Sequence, residues 1–112
     1  MDKEKEKISI TELNNLVSLC SHALQISRIS DTNNLNPQIV IQWLEQEILF
    51  LIENDMPKLI QLLYRIDISE KNTQKAFTGN SAQEIARNIA VLIFNRELQK
   101  IETRKKYKFP NE

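Results

Sequence analysis

The chain has 112 residues, 41 % hydrophobic and 27 % charged, with fifteen basic residues balancing fifteen acidic ones. That length suits one domain with its own core, and the neutral balance leaves no global field to draw nucleic acid or an anionic membrane. A single histidine (His22), cysteine (Cys20) and glycine (Gly79) exclude clustered Cys/His metal sites, glycine-rich phosphate loops and an internal disulfide.

Residues 1–8 alternate in charge and read as a flexible, solvated lead-in with no secretory signal. The longest apolar runs, Ile48 to Ile52 and Ile89 to Phe94, are too short to cross a bilayer. With one unpaired cysteine, the expected setting is the cytoplasm. Residues 9–106 are expected to form one helical domain, followed by a tail over 107–112.

Ser9 and Glu12 have the spacing of a capping box, in which each side chain binds the other's backbone amide. Ile10, Leu13, Leu16, Val17, Cys20 and Leu24 then repeat at three and four, predicting an amphipathic helix to about Arg28. Asp31 to Asn36 is rich in residues that compete for the backbone and reads as a loop. Asn36-Pro37 opens a second helix that runs to about Asn54. Ile41, Leu44, Ile48, Leu51 and Ile52 make one stripe of it, widened by Val40, Trp43 and Phe50. Gln42, Glu45, Gln46 and Glu53 form its polar strip. Such a helix is central in a bundle or lies against a partner.

Asp55 caps a third helix, with Leu59, Ile60, Leu62, Leu63 and Ile66 supplying contacts. Ser69 caps a short fourth helix that ends at Phe77. Gly79 is expected at a left-handed stop, and Ser81 with Glu84 repeats the capping-box spacing. The last helix is predicted from about Ala82 to Lys106. No segment alternates apolar and polar residues long enough for a strand. The predicted fold is all-α, a compact bundle of about five helices with a long last helix.

Glu47 and Arg96 fall inside apolar sectors on a helical wheel. Three readings are open: both sit at a sector edge with their charges in water, they enter structural ion pairs with each other or elsewhere, or they meet in a ligand cleft. Cys20 lies on an apolar stripe and reads as core, whereas His22 reads as surface; two residues apart on a helix, they point different ways. Glu45, Glu53, Asp55 and Asp67 are the carboxylates near the middle helices, and their spacing suits a solvated edge better than acid–base work. No nucleophile–base pair, HExxH, Glu-x-x-His or EF-hand pattern occurs, so no cofactor, metal or catalytic residue is expected.

The last helix carries two apolar stripes, Ile85, Ile89, Leu92 and Ile93, and Ala90, Phe94, Leu98 and Ile101. Self-association or a protein partner is therefore the leading expectation, most simply a homodimer, with Trp43, Glu47, Phe50, Phe94, Leu98 and Ile101 as interface candidates. The alternative rests on the basic end of that helix. Lys100, Arg104, Lys105, Lys106 and Lys108, with Tyr107 and Phe109 among them, are suited to nucleic acid or another anionic ligand. The short-helix, turn, long-helix order over Ile66 to Ala86 loosely follows a helix-turn-helix, but Glu84, Ile85, Ala86 and Ile89 make a poor groove-reading surface. No membrane role is expected.

Through Leu62-Leu63-Tyr64-Arg65-Ile66-Asp67, and Arg96-Glu97-Leu98-Gln99-Lys100 followed by Glu102-Thr103-Arg104, the stretch from about Asn54 to Tyr107 resembles small, all-helical bacterial proteins of uncharacterised function. The resemblance implies a helical fold and no activity, ligand or site residue.

Overall fold

Each helix begins where a short polar side chain can take up an orphan amide. A computed structural model of the chain describes residues 8–27, 29 and 34–106, the side chain of residue 106 excepted. It contains α1 (Ile10–Leu24), α2 (Pro37–Asn54), α3 (Met56–Ile66), α4 (Glu70–Ala76) and α5 (Ala82–Lys106). No strand occurs among the described residues. The fold is thus the expected all-α bundle of five helices, with α5 the longest at 25 residues. No helix of the described chain is long and apolar enough to cross a membrane. Residues 1–7 of the expected lead-in, residues 31–33 of the expected loop, and the tail with Tyr107, Lys108 and Phe109 lie outside the described residues.

The starts follow the sequence closely. Ser9 Oγ accepts from the Glu12 amide at 3.1 Å, and Glu12 Oε1 accepts from the Ser9 amide at 3.3 Å, completing the capping box. Asn36 Oδ1 accepts from the Ile39 amide, Asp55 Oδ1 from Lys58, and Ser69 Oγ from Asn72. At α5 the box is shifted. Ser81 Oγ accepts from Glu84, but the Glu84 carboxylate accepts from the amide of Asn80 instead of Ser81.

The helix ends depart from expectation in two places. α1 stops at Leu24, short of Arg28, because Gln25 turns into the left-handed region at φ 59°. The Ile26 amide then reaches back to Ser21 and the Gln25 amide to His22, closing a Schellman motif. Asp67, at φ 70°, ends α3 in the same way, with Ile68 bonded to Leu63 and Asp67 to Tyr64. Gly79 was expected to be the left-handed residue, yet it has no positive φ. A Cβ there would lie 3.1 Å from Ile85 Cγ1 and 3.2 Å from the Ile85 amide nitrogen. Glycine is used at this turn for close approach, not for handedness.

Packing centres on α5. Its main contact is with α2, and α1 covers a further part of it. Ala86, Ile89, Ala90, Ile93, Phe94 and Ile101 of α5 are all buried, so members of both of its apolar stripes enter the core. Ile85, Leu92 and Leu98 pack half-buried at the edge. Val40, Leu44, Ile48 and Leu51 face them from α2, with Leu13, Leu16, Val17, Cys20 and Leu24 from α1 and Leu59, Leu62, Leu63 and Ile66 from α3. Each such side chain taken from water contributes roughly 1.5–3 kcal/mol before chain entropy is charged against it. Contacts join Glu12 to Lys105 and, further along, Cys20 to the field of Glu97, so α1 and α5 run antiparallel. That places the first turn of α1 beside the basic end of α5.

Candidate functional site

The antiparallel pairing builds a shallow groove from two helix ends. Ser9, Thr11, Glu12 and Asn15 line it from α1, and Ile101, Arg104 and Lys105 from α5. Lys105 Nζ donates to Glu12 Oε2 at 2.6 Å. This bond is the first cause, and the Ser9 amide the second, holding the Glu12 carboxyl below its ordinary range; the same bond raises Lys105. Arg104 is exposed and makes no ion pair among the described residues. The lining charges are therefore two cations against one carboxylate, beside the partial positive charge of α1's N-terminus. Lys106 and Lys108 follow in the sequence; the side chain of Lys106, and Lys108 entirely, lie outside the described residues. Lys100 stands apart from this groove. Its Nζ donates to Glu97 Oε2 at 3.1 Å, one turn back on the same helix.

The two charges expected inside apolar sectors do not meet. Arg96 donates through Nε to the Asp67 carbonyl and through a terminal nitrogen to Asp67 Oδ2, both at 3.3 Å. It clamps the left-handed residue that ends α3. Glu47 is half-exposed and makes no ion pair among the described residues. The buried carboxylate of α2 is Glu45 instead, which the wheel had put on the polar strip. It is 8 % exposed and accepts from Gln83 Nε2 and, at 3.4 Å, from Arg87. The buried arc of α2 runs from Val40 through Leu44 and Ile48 to Glu45, so Glu47 lies just past its other edge. Glu97, 2 % exposed, is the second buried carboxylate not foreseen. Its neighbours Leu98 and Lys100 gave no sign of which face α1 would cover.

The interface candidates do not share one open face. Phe94 and Ile101 are buried at 5 % and 7 %, Trp43 and Leu98 are half-buried, and only Phe50, at 62 %, stands well exposed. The core claims the stripe containing Phe94 and Ile101 because α1 and α2 both close on α5. Ile60, expected among the core contacts of α3, is 46 % exposed, and Tyr64 is 88 % exposed beside it.

Covalent chemistry finds little to work with among these groups. Cys20 is fully buried, and its thiol is pushed up to about 12, first by burial and then by the charge of Glu97. His22 is exposed on the far side of α1. Glu53 is exposed, Asp55 caps α3 and Asp67 is held by Arg96. Among the described residues no three His, Cys, Asp or Glu side chains converge to hold a metal ion. The chain matches no family model, and neither the curated proteins nor the solved structures contain a match to it.

Proposed function

We propose that the protein is a non-enzymatic binding module that meets an anionic partner with the basic end of α5. The observation that carries this reading is the placement of Arg104 and Lys105 on a groove where, among the described residues, Glu12 is the one opposing charge. Arg104 is the principal anchor, because an exposed guanidinium in no ion pair among the described residues can offer its fork to a phosphate or carboxylate. Lys105, Lys106 and Lys108 extend the same field, and Tyr107 and Phe109 add faces on which bases can stack. A reducing, cytoplasmic setting belongs to this reading, since it keeps the free Cys20 thiol reduced.

A short oligonucleotide titrated at several salt concentrations tests it. Affinity is expected to fall steeply with salt, and Arg104→Gln should lower the slope of log K against log salt by about one contact. The melting temperature should not move, because Arg104 is exposed and in no ion pair among the described residues. Absence of binding at low ionic strength would refute a nucleic-acid partner and leave only an acidic protein surface for the basic end. Self-association is the second reading, favoured by the exposure of Phe50, Ile60 and Tyr64 and no longer by Phe94 or Ile101.

A further inference from the structure

The outer face of α3 is left uncovered in an unusual way. Leu59, Leu62, Leu63 and Ile66 turn into the core, whereas Ile60 and Tyr64, one turn apart on the other side, face water. After Asp67 the chain folds back, and Ile68 with the first turn of α4 makes a second wall. Ile60, Leu63, Tyr64 and Ile68 floor the resulting groove. Among the described residues its charged lining is Asp67, which also pairs with Arg96, and Glu70. An apolar floor under an acidic rim selects a ligand with apolar or aromatic groups and cationic flanks.

The chain itself carries a segment of that chemistry. From Lys105 to Phe109 the sequence reads Lys-Lys-Tyr-Lys-Phe, and no carboxylate occurs between Glu102 and Glu112. Lys106, Tyr107, Lys108 and Phe109 alternate in character. Lys106 ends α5, and in an extended backbone beyond it the alternation would put Tyr107 and Phe109 on one side and Lys108 on the other. Two aromatic rings would then lie on the apolar floor while Lys108 meets Glu70.

Reach decides whose segment this is. Asp67 sits beside Arg96, in a second groove that the 67–69 segment shares with Leu92, Asn95 and Gln99 of α5. From that level α5 continues ten residues to Lys106, about 15 Å of helix. Phe109 is three residues further on, at most about 11 Å of extended chain. To occupy its own groove it would have to return along the whole helix end and then cross the 67–69 segment. The chain is too short for that.

We propose that the groove between α3 and the start of α4 receives the Tyr107–Phe109 segment of a second copy of the chain. The inference rests on the basic α5 end being the binding surface, and it names the acidic rim of Asp67 and Glu70 as its partner. Reciprocal exchange of the two segments closes the assembly as a dimer.

Light scattering over a dilution series, read against circular dichroism to confirm folding, tests the proposal. Wild type is expected to approach twice its 13.1 kDa at high concentration. Tyr64→Ser, on an exposed side chain, should weaken the dimer about tenfold through the lost ring contact. Glu70→Lys and Lys108→Glu should each weaken it roughly fivefold to tenfold. The pair together should recover most of the loss, and the circular dichroism of each variant separates a lost contact from a lost fold. A monomer at every concentration overturns the proposal. So does a dimer indifferent to Tyr64→Ser, or a double variant no tighter than the singles. The oligonucleotide titration on the same samples separates the two ideas. Binding without dimerisation removes the groove and leaves the basic-end reading intact. Dimerisation with charge-swap recovery but no oligonucleotide binding supports the groove as the anionic partner, and failure of both removes both.

Discussion

Lys105 and Glu12 stand 93 residues apart in sequence and 2.6 Å apart in space, fastening the last turn of α5 to the first turn of α1. Glu12 serves two tasks with one carboxylate, since Oε1 also completes the capping box on Ser9. Its folded pKa is below the ordinary 4.5, so the unfolded chain binds its proton more readily. The stability this group contributes is full above about pH 4.5 and is lost as the pH falls through the lower folded value. Lys105 is raised above 10.5, so its share is present below that pH and fades above it. Urea melts of wild type and Glu12→Gln across pH 3 to 6 (roughly one and a half units either side of that ordinary value) should show a shallower acid-side decline in the variant. The difference should shrink in added salt, as an exposed pair requires. Equal slopes would mean the capping box and ion pair add no proton linkage.

Glu45 gives a second, less exposed pair. Gln83 and Arg87 both donate to it from α5, across the main helix contact of the fold. Arg87 is nearly half-exposed, so Arg87→Ala should cost less than about 1 kcal/mol. Glu45→Ala, which removes both bonds and the buried stem, should cost about 1–3 kcal/mol. A double-mutant cycle measured by denaturant melts is expected to return a coupling of about 0.5–1 kcal/mol. Strict additivity would show that Gln83 alone supports the carboxylate.

Local signals made the helices legible, and three-dimensional ones were lost. Ser9, Asn36, Asp55, Ser69 and Ser81 act within four residues of themselves, so a sequence states their role completely. Gln25 carries no comparable mark, because its left-handed turn is imposed by the Schellman closure rather than by its side chain. A wheel drawn for α2 shows where apolar residues lie but not which side α5 covers. It therefore put Glu47 inside the apolar sector and Glu45 on the polar strip, when Glu45 was the residue facing Gln83 and Arg87. The basic cluster was visible because its members are neighbours in sequence. The groove of Ile60, Tyr64, Asp67 and Glu70 was not, since it exists only after the chain reverses at Asp67.

Backbone handedness sets opposite expectations for two turn residues. Gln25 holds φ 59° without a glycine, at a cost of roughly 1–2 kcal/mol for an L residue. Gln25→Gly should gain about 0.5–1 kcal/mol, the relief exceeding glycine's extra unfolded entropy. Gly79→Ala should lose about 1 kcal/mol despite its ordinary backbone, because the new methyl presses on the Ile85 amide nitrogen at 3.2 Å. Thermal melts of the two variants should move in opposite directions. A stabilised Gly79→Ala would show that the start of α5 can shift aside.

The division of apolar residues between core and surface is testable at two positions. Ile101 is 7 % exposed against α1, and Ile101→Ala should cost about 2–4 kcal/mol. Phe50 is 62 % exposed, and Phe50→Ser should leave the monomer within about 0.5 kcal/mol of wild type. Denaturant midpoints decide the matter. A large loss from Phe50→Ser would place that ring in an interface that persists at the concentration of the melt.

Cys20 provides a probe of the whole core. Its sulfur is enclosed by α1 and α5, with a thiol pushed up to about 12, so thiolate is scarce at neutral pH. Two barriers therefore act together on an electrophilic disulfide reagent: the side chain must be exposed, and it must ionise. Reaction should proceed only through opening of the fold, on the order of a thousandfold more slowly than in denaturant for a domain of ordinary stability. Ile101→Ala should speed it in proportion to the stability lost, because the reagent then samples the same global opening. Gln25→Gly should slow it. Fast labelling of the native protein, insensitive to either variant, would instead locate a local opening of α1 that frees Cys20 without unfolding the bundle.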